Sequence, residues 1–194
     1  MTKQAFVVGN GTSRSTVDLA HLKLNGKMYG CNALYREFDP DYLIAVDVKM
    51  IIEINKSGYQ LKTPVWTNSN KAYHKFVGFN YFQPSKGWSS GPTALWMASE
   101  HDNDEIYILG FDYQGLGDTV NNIYADSPNY KRSTDKATYF GNWLKQTCIT
   151  CQKFYKKRYI RVLGDNAFIP KELTKVPNLE HISLAKFKEI QQIS

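Results

Sequence analysis

The sequence predicts an α/β protein, a Rossmann-like and mostly parallel sheet with helices on both faces. Three observations predict it. Short continuous apolar runs, among them Ala5-Phe6-Val7-Val8 and Ile106-Tyr107-Ile108-Leu109, have the length and composition of strands buried on both sides. These runs alternate with segments of helical apolar spacing, the pattern of a parallel sheet wrapped by helices. Several runs also stop at a glycine or a polar residue, as strands do when they deliver a loop to a ligand-binding rim.

In chain order, Ala5–Val8 reads as the first strand and stops at Gly9. Thr16–Leu22 is a short amphipathic stretch, Met28–Asn32 a second strand and Tyr42–Asp47 a third. Val48–Lys56 has helical spacing and ends at Ser57-Gly58. Thr63–Thr67 is a strand weakened by Pro64. Asn68–Lys86 is aromatic and irregular. Ser89-Ser90-Gly91-Pro92 opens a helix to about Ser99, with a serine cap and a proline in the first turn. Glu105–Gly110 is the clearest later strand and delivers Phe111-Asp112-Tyr113. Gly115–Thr134 reads as a long polar loop, Lys136–Lys157 as the longest helix and Tyr159–Leu163 as the last strand. The tail from Pro170 mixes extended and helical signals, so the expectation is one domain, 1–194, with an irregular end.

Composition narrows the classes. No apolar run approaches the roughly 18 residues of a membrane span. Met1–Gln4 leads directly into a strand, so the expectation is a cytoplasmic protein. The net charge of +6 suits an anionic partner such as a nucleotide. The densest basic group, Lys153, Lys156, Lys157, Arg158 and Arg161, reads as a solvated helix end, where cations suit the dipole. Three cysteines argue against a disulfide scaffold, and the lone Cys148-x-x-Cys151 reads as ordinary helix residues. No spacing of metal ligands occurs around His21, His74, His101 or His181, and no metal is expected.

The rim expected at the strand ends collects Gly9-Asn10-Gly11-Thr12-Ser13, Cys31-Asn32, Asp47, Gly110-Phe111-Asp112 and Gly164-Asp165-Asn166. Glycines allow a tight turn and close approach to an anion, and a following helix would offer free N–H groups. Arg14 at the third glycine position excludes the G-x-G-x-x-G dinucleotide fingerprint. Taken alone, the turn is equally well a tight bend with a capping serine. Asp47 and Asp112, each past a strand end, suit either a base or sugar contact or a helix cap.

In order, Gly9–Ser13, Cys31-Asn32, Ser89-Ser90-Gly91 and Ile106–Tyr113 resemble the bacterial sialyltransferases of the Campylobacter type over roughly residues 4–155. The first motif is also similar to archaeal pterin diphosphokinases. The resemblance implies a CMP-sugar as donor substrate and no separate cofactor. It implies that Gly9, Asn10, Gly11, Thr12, Ser13 and Asn32 contact the donor nucleotide and its phosphate. Ser90 and Gly91 would lie near the donor sugar, and Asp112 and Tyr113 at the cytidine. Tyrosine hydroxyls would replace a metal at the leaving phosphate, with Tyr124, Tyr130 and Tyr139 as candidates. The family's histidine base has no counterpart, since Thr119–Trp143 contains none, and Asp126 or Asp135 stands in for it.

The expectation is a metal-independent glycosyltransferase-type protein that moves a sugar from a nucleotide-sugar to a hydroxyl acceptor. Two alternatives remain. One is a non-catalytic accessory protein, phage or other mobile-element in type, in a homo-oligomer or larger assembly. The other is a pterin-type diphosphokinase.

Overall fold

In the computed structural model, residues 2–193 are described. Eight strands form one sheet: β1 (Gln4–Val8), β2 (Lys27–Cys31), β3 (Tyr42–Ile44), β4 (Val65–Thr67), β5 (Phe79–Tyr81), β6 (Glu105–Leu109), β7 (Arg158–Leu163) and β8 (Leu179–Ser183). Their order is β5-β4-β3-β2-β1-β6-β7-β8 and every pairing is parallel. The α/β, Rossmann-like architecture is thus present, and the sheet is wholly rather than mostly parallel.

The helices are α1 (Leu19–Leu22), α2 (Val48–Ser57), α3 (Ser90–Glu100), α4 (Gly141–Lys153) and α5 (Leu184–Gln191). Period-two alternation inside the apolar runs divides the core between two faces. Phe6, Val8, Tyr107 and Ile160 pack with Leu22 of α1, Ile51 and Ile54 of α2 and Phe187 of α5. Ala5, Val7, Ile106 and Tyr159 pack with Ala94, Leu95 and Ala98 of α3 and Cys151 of α4. α1, α2 and α5 therefore cover one face of the sheet, and α3 and α4 cover the other. Strand order reverses between β1 and β6, and the carboxyl edge beside such a reversal is where ligands bind in open α/β sheets.

Several expected elements change. The Thr16–Leu22 stretch contracts to the single turn of α1, capped by Asp18, whose side chain accepts from His21 N. The 136–157 helix contracts to α4, because Lys136 to Phe140 runs as loop and the chain turns out of the helix at Phe154. The aromatic stretch holds edge strand β5, and the tail holds β8 and α5, so the end of the chain is regular. The basic group is a solvated helix end only at Lys153 and Lys156, which are exposed at and just past the end of α4. Arg161 lies in β7 and is buried, Arg158 pairs with Glu105 and Glu180, and Lys157 Nζ donates to His101 O at 3.0 Å. Cys148 is half-buried and Cys151 buried, both as free thiols in α4 whose ionisation burial opposes.

Candidate functional site

The carboxyl ends of β1, β2, β3 and β6, together with the start of α3, enclose a cavity of about 490 Å³. That volume lies within the range of small-molecule sites, about 300–1,000 Å³. Gly9, Asn10, Gly11, Asn32, Asp47, Ser90, Gly91, Asp112, Tyr113 and Tyr130 all line it. Thr12 and Ser13 line a smaller neighbouring cavity of about 270 Å³, with Asp112 and Asn121 on the wall between the two.

Backbone meeting backbone explains the glycines of the first turn. Gly9 N donates to Leu109 O at 2.8 Å and Gly11 N to Gly110 O at 2.9 Å. A Cβ on Gly9 would sit 2.7 Å from Gly110 O, and one on Gly110 would sit 2.8 Å from Gly9 O. Gly110 also has a φ of +66°, which favours glycine. The two loops therefore interlock at the point where the sheet order reverses.

The N–H groups that follow are already occupied. Thr12 N and Oγ1 both donate to Asn121 Oδ1, at 2.9 and 2.8 Å. Ser13 N donates to Asp112 Oδ2 at 3.1 Å and its hydroxyl donates to the other carboxylate oxygen. Asn121 Nδ2 gives Asp112 a further hydrogen bond at 3.1 Å. The chain then makes a single 3-10 turn, Thr12–Arg14, rather than a long helix. The cradle built by the first turn thus holds a protein carboxylate.

A second start of a helix is open. Ser90 Oγ accepts from Val46 N at 3.1 Å and donates to Asn32 Oδ1 at 2.7 Å, tying the ends of β2 and β3 to α3. Asn32 sits at φ +52°, a region that asparagine enters more readily than most residues. The N–H groups of Ser90 and Gly91 find no acceptor among the described residues. They stand at the positive end of an eleven-residue helix, on the cavity wall.

Opposite lies the long loop. Asn10 Nδ2 donates to Tyr130 Oη at 3.2 Å and Ala33 N donates to the same oxygen at 3.3 Å. Tyr130 lines the cavity, and its hydroxyl makes no donated hydrogen bond to a described residue. Burial opposes ionisation of this phenol. Lys131 lines the same wall, and Phe111, Phe140 and Trp143 supply an apolar side.

The remaining candidates lie elsewhere. Tyr124 is buried behind the turn, where its hydroxyl donates to Glu37 at 2.5 Å and accepts from Arg14 at 3.0 Å. Asp126 is exposed, outside the cavity, and hydrogen bonds from Ser133 hold its carboxyl below the usual range. Asp135 caps Arg132 N at 2.9 Å and Tyr139 is largely exposed. None of the four histidines lines the cavity. Asp112 and Tyr113 are held from below by Arg161, which the sequence reading left among surface cations. Its guanidinium donates to Phe111 O, Asp112 O and Phe168 O at 2.8, 3.0 and 3.0 Å and lies 5.0 Å from the Tyr113 ring centre. Asn121, Lys131 and the aromatic wall also went unread, because loop residues carry no periodicity.

Among the described residues no group of three or more His, Cys, Asp or Glu side chains is placed to hold a metal, and no helix is long and apolar enough to cross a membrane. Comparison of the chain with protein-family models, with curated proteins and with solved structures finds no match.

Proposed function

We propose that the chain binds a nucleotide-sugar of the CMP-sugar type and is a glycosyltransferase-type protein, transferring the sugar to a hydroxyl acceptor without a metal. One observation carries this reading. The residues bearing the open N–H groups, Ser90 and Gly91, line one cavity with Tyr130 and Lys131 at the reversal of strand order. Lys131 is exposed at its rim, with Nζ donating to Lys136 O at 3.3 Å.

In this reading the phosphate sits at the start of α3 and the nucleoside lies along Phe111, Phe140 and Trp143. The Tyr130 proton meets a phosphate oxygen as charge develops on the leaving nucleotide. Its oxygen is fixed beforehand by Asn10 and Ala33, so no reorganisation is needed at that moment. Asn32 and Ser90 hold the two walls in register. The sugar class follows from the resemblance to sialyltransferases.

Titration calorimetry with CMP, UMP, GMP, AMP and magnesium-ATP tests the reading. CMP should bind with the highest affinity, and Lys131→Ala should weaken it about tenfold, equivalent to about 1.4 kcal/mol. Failure of every nucleotide to bind more tightly than about 1 mM rejects the assignment. Preference for magnesium-ATP points to diphosphate transfer instead. The lack of a histidine on the cavity wall favours a second reading, a binding protein without turnover. It predicts CMP affinity with no consumption of any CMP-sugar.

A further inference from the structure

We infer that Asp47 is the catalytic base, taking the proton of the acceptor hydroxyl as that oxygen attacks the donor sugar. The inference rests on the cavity being the donor site.

Asp47 follows β3 directly and occupies the position that normally caps the next helix. Its backbone oxygen does so, accepting from Ile51 N at 3.0 Å. Its side chain makes no cap hydrogen bond, although aspartate is among the best residues for that task. It also forms no ion pair and accepts no hydrogen bond from any described residue. Asp47 instead lines the cavity. The hydrogen bond from Val46 N to Ser90 Oγ fixes the preceding residue against the start of α3, so Asp47 and the proposed phosphate seat belong to the same cavity wall.

Two carboxylates line this cavity, and they differ. Asp112 is saturated by Ser13 and Asn121, whereas Asp47 has its lone pairs free. Asp47 is exposed on this rim, and its partial desolvation there raises its pKa above the ordinary carboxylate value, which makes it a better proton acceptor. The step balances simply. The acceptor O–H bond breaks and its proton goes to Asp47, while the acceptor oxygen bonds to the anomeric carbon. The bond from that carbon to the phosphate oxygen breaks, and its electron pair leaves with the nucleotide. Tyr130 then serves the leaving nucleotide and Asp47 the attacking acceptor.

The other ionisable groups on the wall are Cys31, Asp112, Tyr113, Tyr130 and Lys131. Burial pushes Cys31 up to about 12 and raises both tyrosines, so all three stay neutral through the acid range. The test uses CMP-N-acetylneuraminate with water as acceptor, read as released CMP above the uncatalysed rate. Wild-type kcat/KM should rise with pH along one acid limb. Asp47→Asn should lower kcat about 100-fold or more and leave the Kd for CMP within about twofold. Asp47→Glu should keep activity and move the limb, which separates Asp47 from Asp112. Retention of the native circular dichroism spectrum by Asp47→Asn excludes misfolding. An Asp47→Asn kcat within about threefold of wild type overturns the inference. So does a wild-type protein that binds CMP but releases none from the donor, and nucleotide binding then stands. Failure of CMP to bind removes the donor site itself.

Discussion

Replacing Arg161 by leucine cuts the fastening beneath Asp112 and Tyr113. The side chain is 2% exposed, and burial already pulls its pKa down, so the surroundings tolerate the charge because of its partners. Those partners are three backbone carbonyls within 3.0 Å, two on the loop after β6 and one at Phe168. Hydrogen bonds from a charged donor contribute about 1.5–3 kcal/mol each. Against the sum stand the removed cost of burying a guanidinium and the apolar contact that leucine restores. The net loss should be about 3 kcal/mol, since Phe111 O is left buried without its donor. For a domain of this size each kcal/mol moves Tm by about 2–4 °C, so the melt should shift down by about 6–12 °C. Circular dichroism melts at neutral pH, with urea unfolding beside them, read this directly. Arg161→Lys should fall between, because an ammonium cannot span the three carbonyls. A leucine variant that melts within about 2 °C of wild type would show that the carbonyls are satisfied otherwise, and the fastening argument would fail.

Gly110→Ala should cost about 2–4 kcal/mol in urea unfolding, since it adds a Cβ 2.8 Å from Gly9 O at a φ of +66°. Gly58→Ala, at φ +71° with nothing within 4 Å, isolates the conformational part and should cost about 1–2 kcal/mol; equal losses would argue against the interlock. Burial pushes the Glu53 carboxyl up, but hydrogen bonds from Tyr35, Arg36 and Asn129 outweigh it and hold the pKa below the ordinary value. That stability is present above the unfolded glutamate pKa of about 4.3 and drains as pH falls towards the folded value. Glu53→Gln should flatten the fall in Tm below about pH 4.3, and unchanged slopes would contradict it.

Where the chain carries a strong local signal, the fold was legible. The runs at β1 and β6 are buried on both faces, and α2 ends at Gly58 in the left-handed conformation that its Ser-Gly signal predicts. The edges were not legible. β5 is three residues long, and β8 buries only Leu179 fully, so neither shows enough alternation to separate it from loop. The start of α4 was overextended because Lys136–Phe140 resembles helix in composition while its backbone follows the long loop. The rim was legible because strand ends announce it, and its residues need not be contiguous in sequence for that rule to work. What the rule leaves open is which polar groups at the rim bond one another. Asp112 and Asp47 look alike in sequence, each one step past an apolar run, and only the fold shows one saturated and the other free.

The first turn illustrates how far such a pattern reaches. Gly9-Asn10-Gly11-Thr12-Ser13 encodes a backbone able to hold an anion, and the structure keeps that chemistry with Asp112 as the anion. A phosphate entering there would have to displace a carboxylate anchored by three hydrogen bonds and meet its charge. At the start of α3 it meets two unoccupied N–H groups and no carboxylate bonded to them. In the proposed reading, the unoccupied N–H groups therefore place the phosphate seat across the crevice, at Ser90 and Gly91. The glycines of the turn then act one step removed, by letting β1 and β6 approach closely enough to carry Asp112 into the cradle. Glycine and hydroxyl residues at a strand end thus specify an anion site, and the neighbouring strand decides whether protein or ligand fills it.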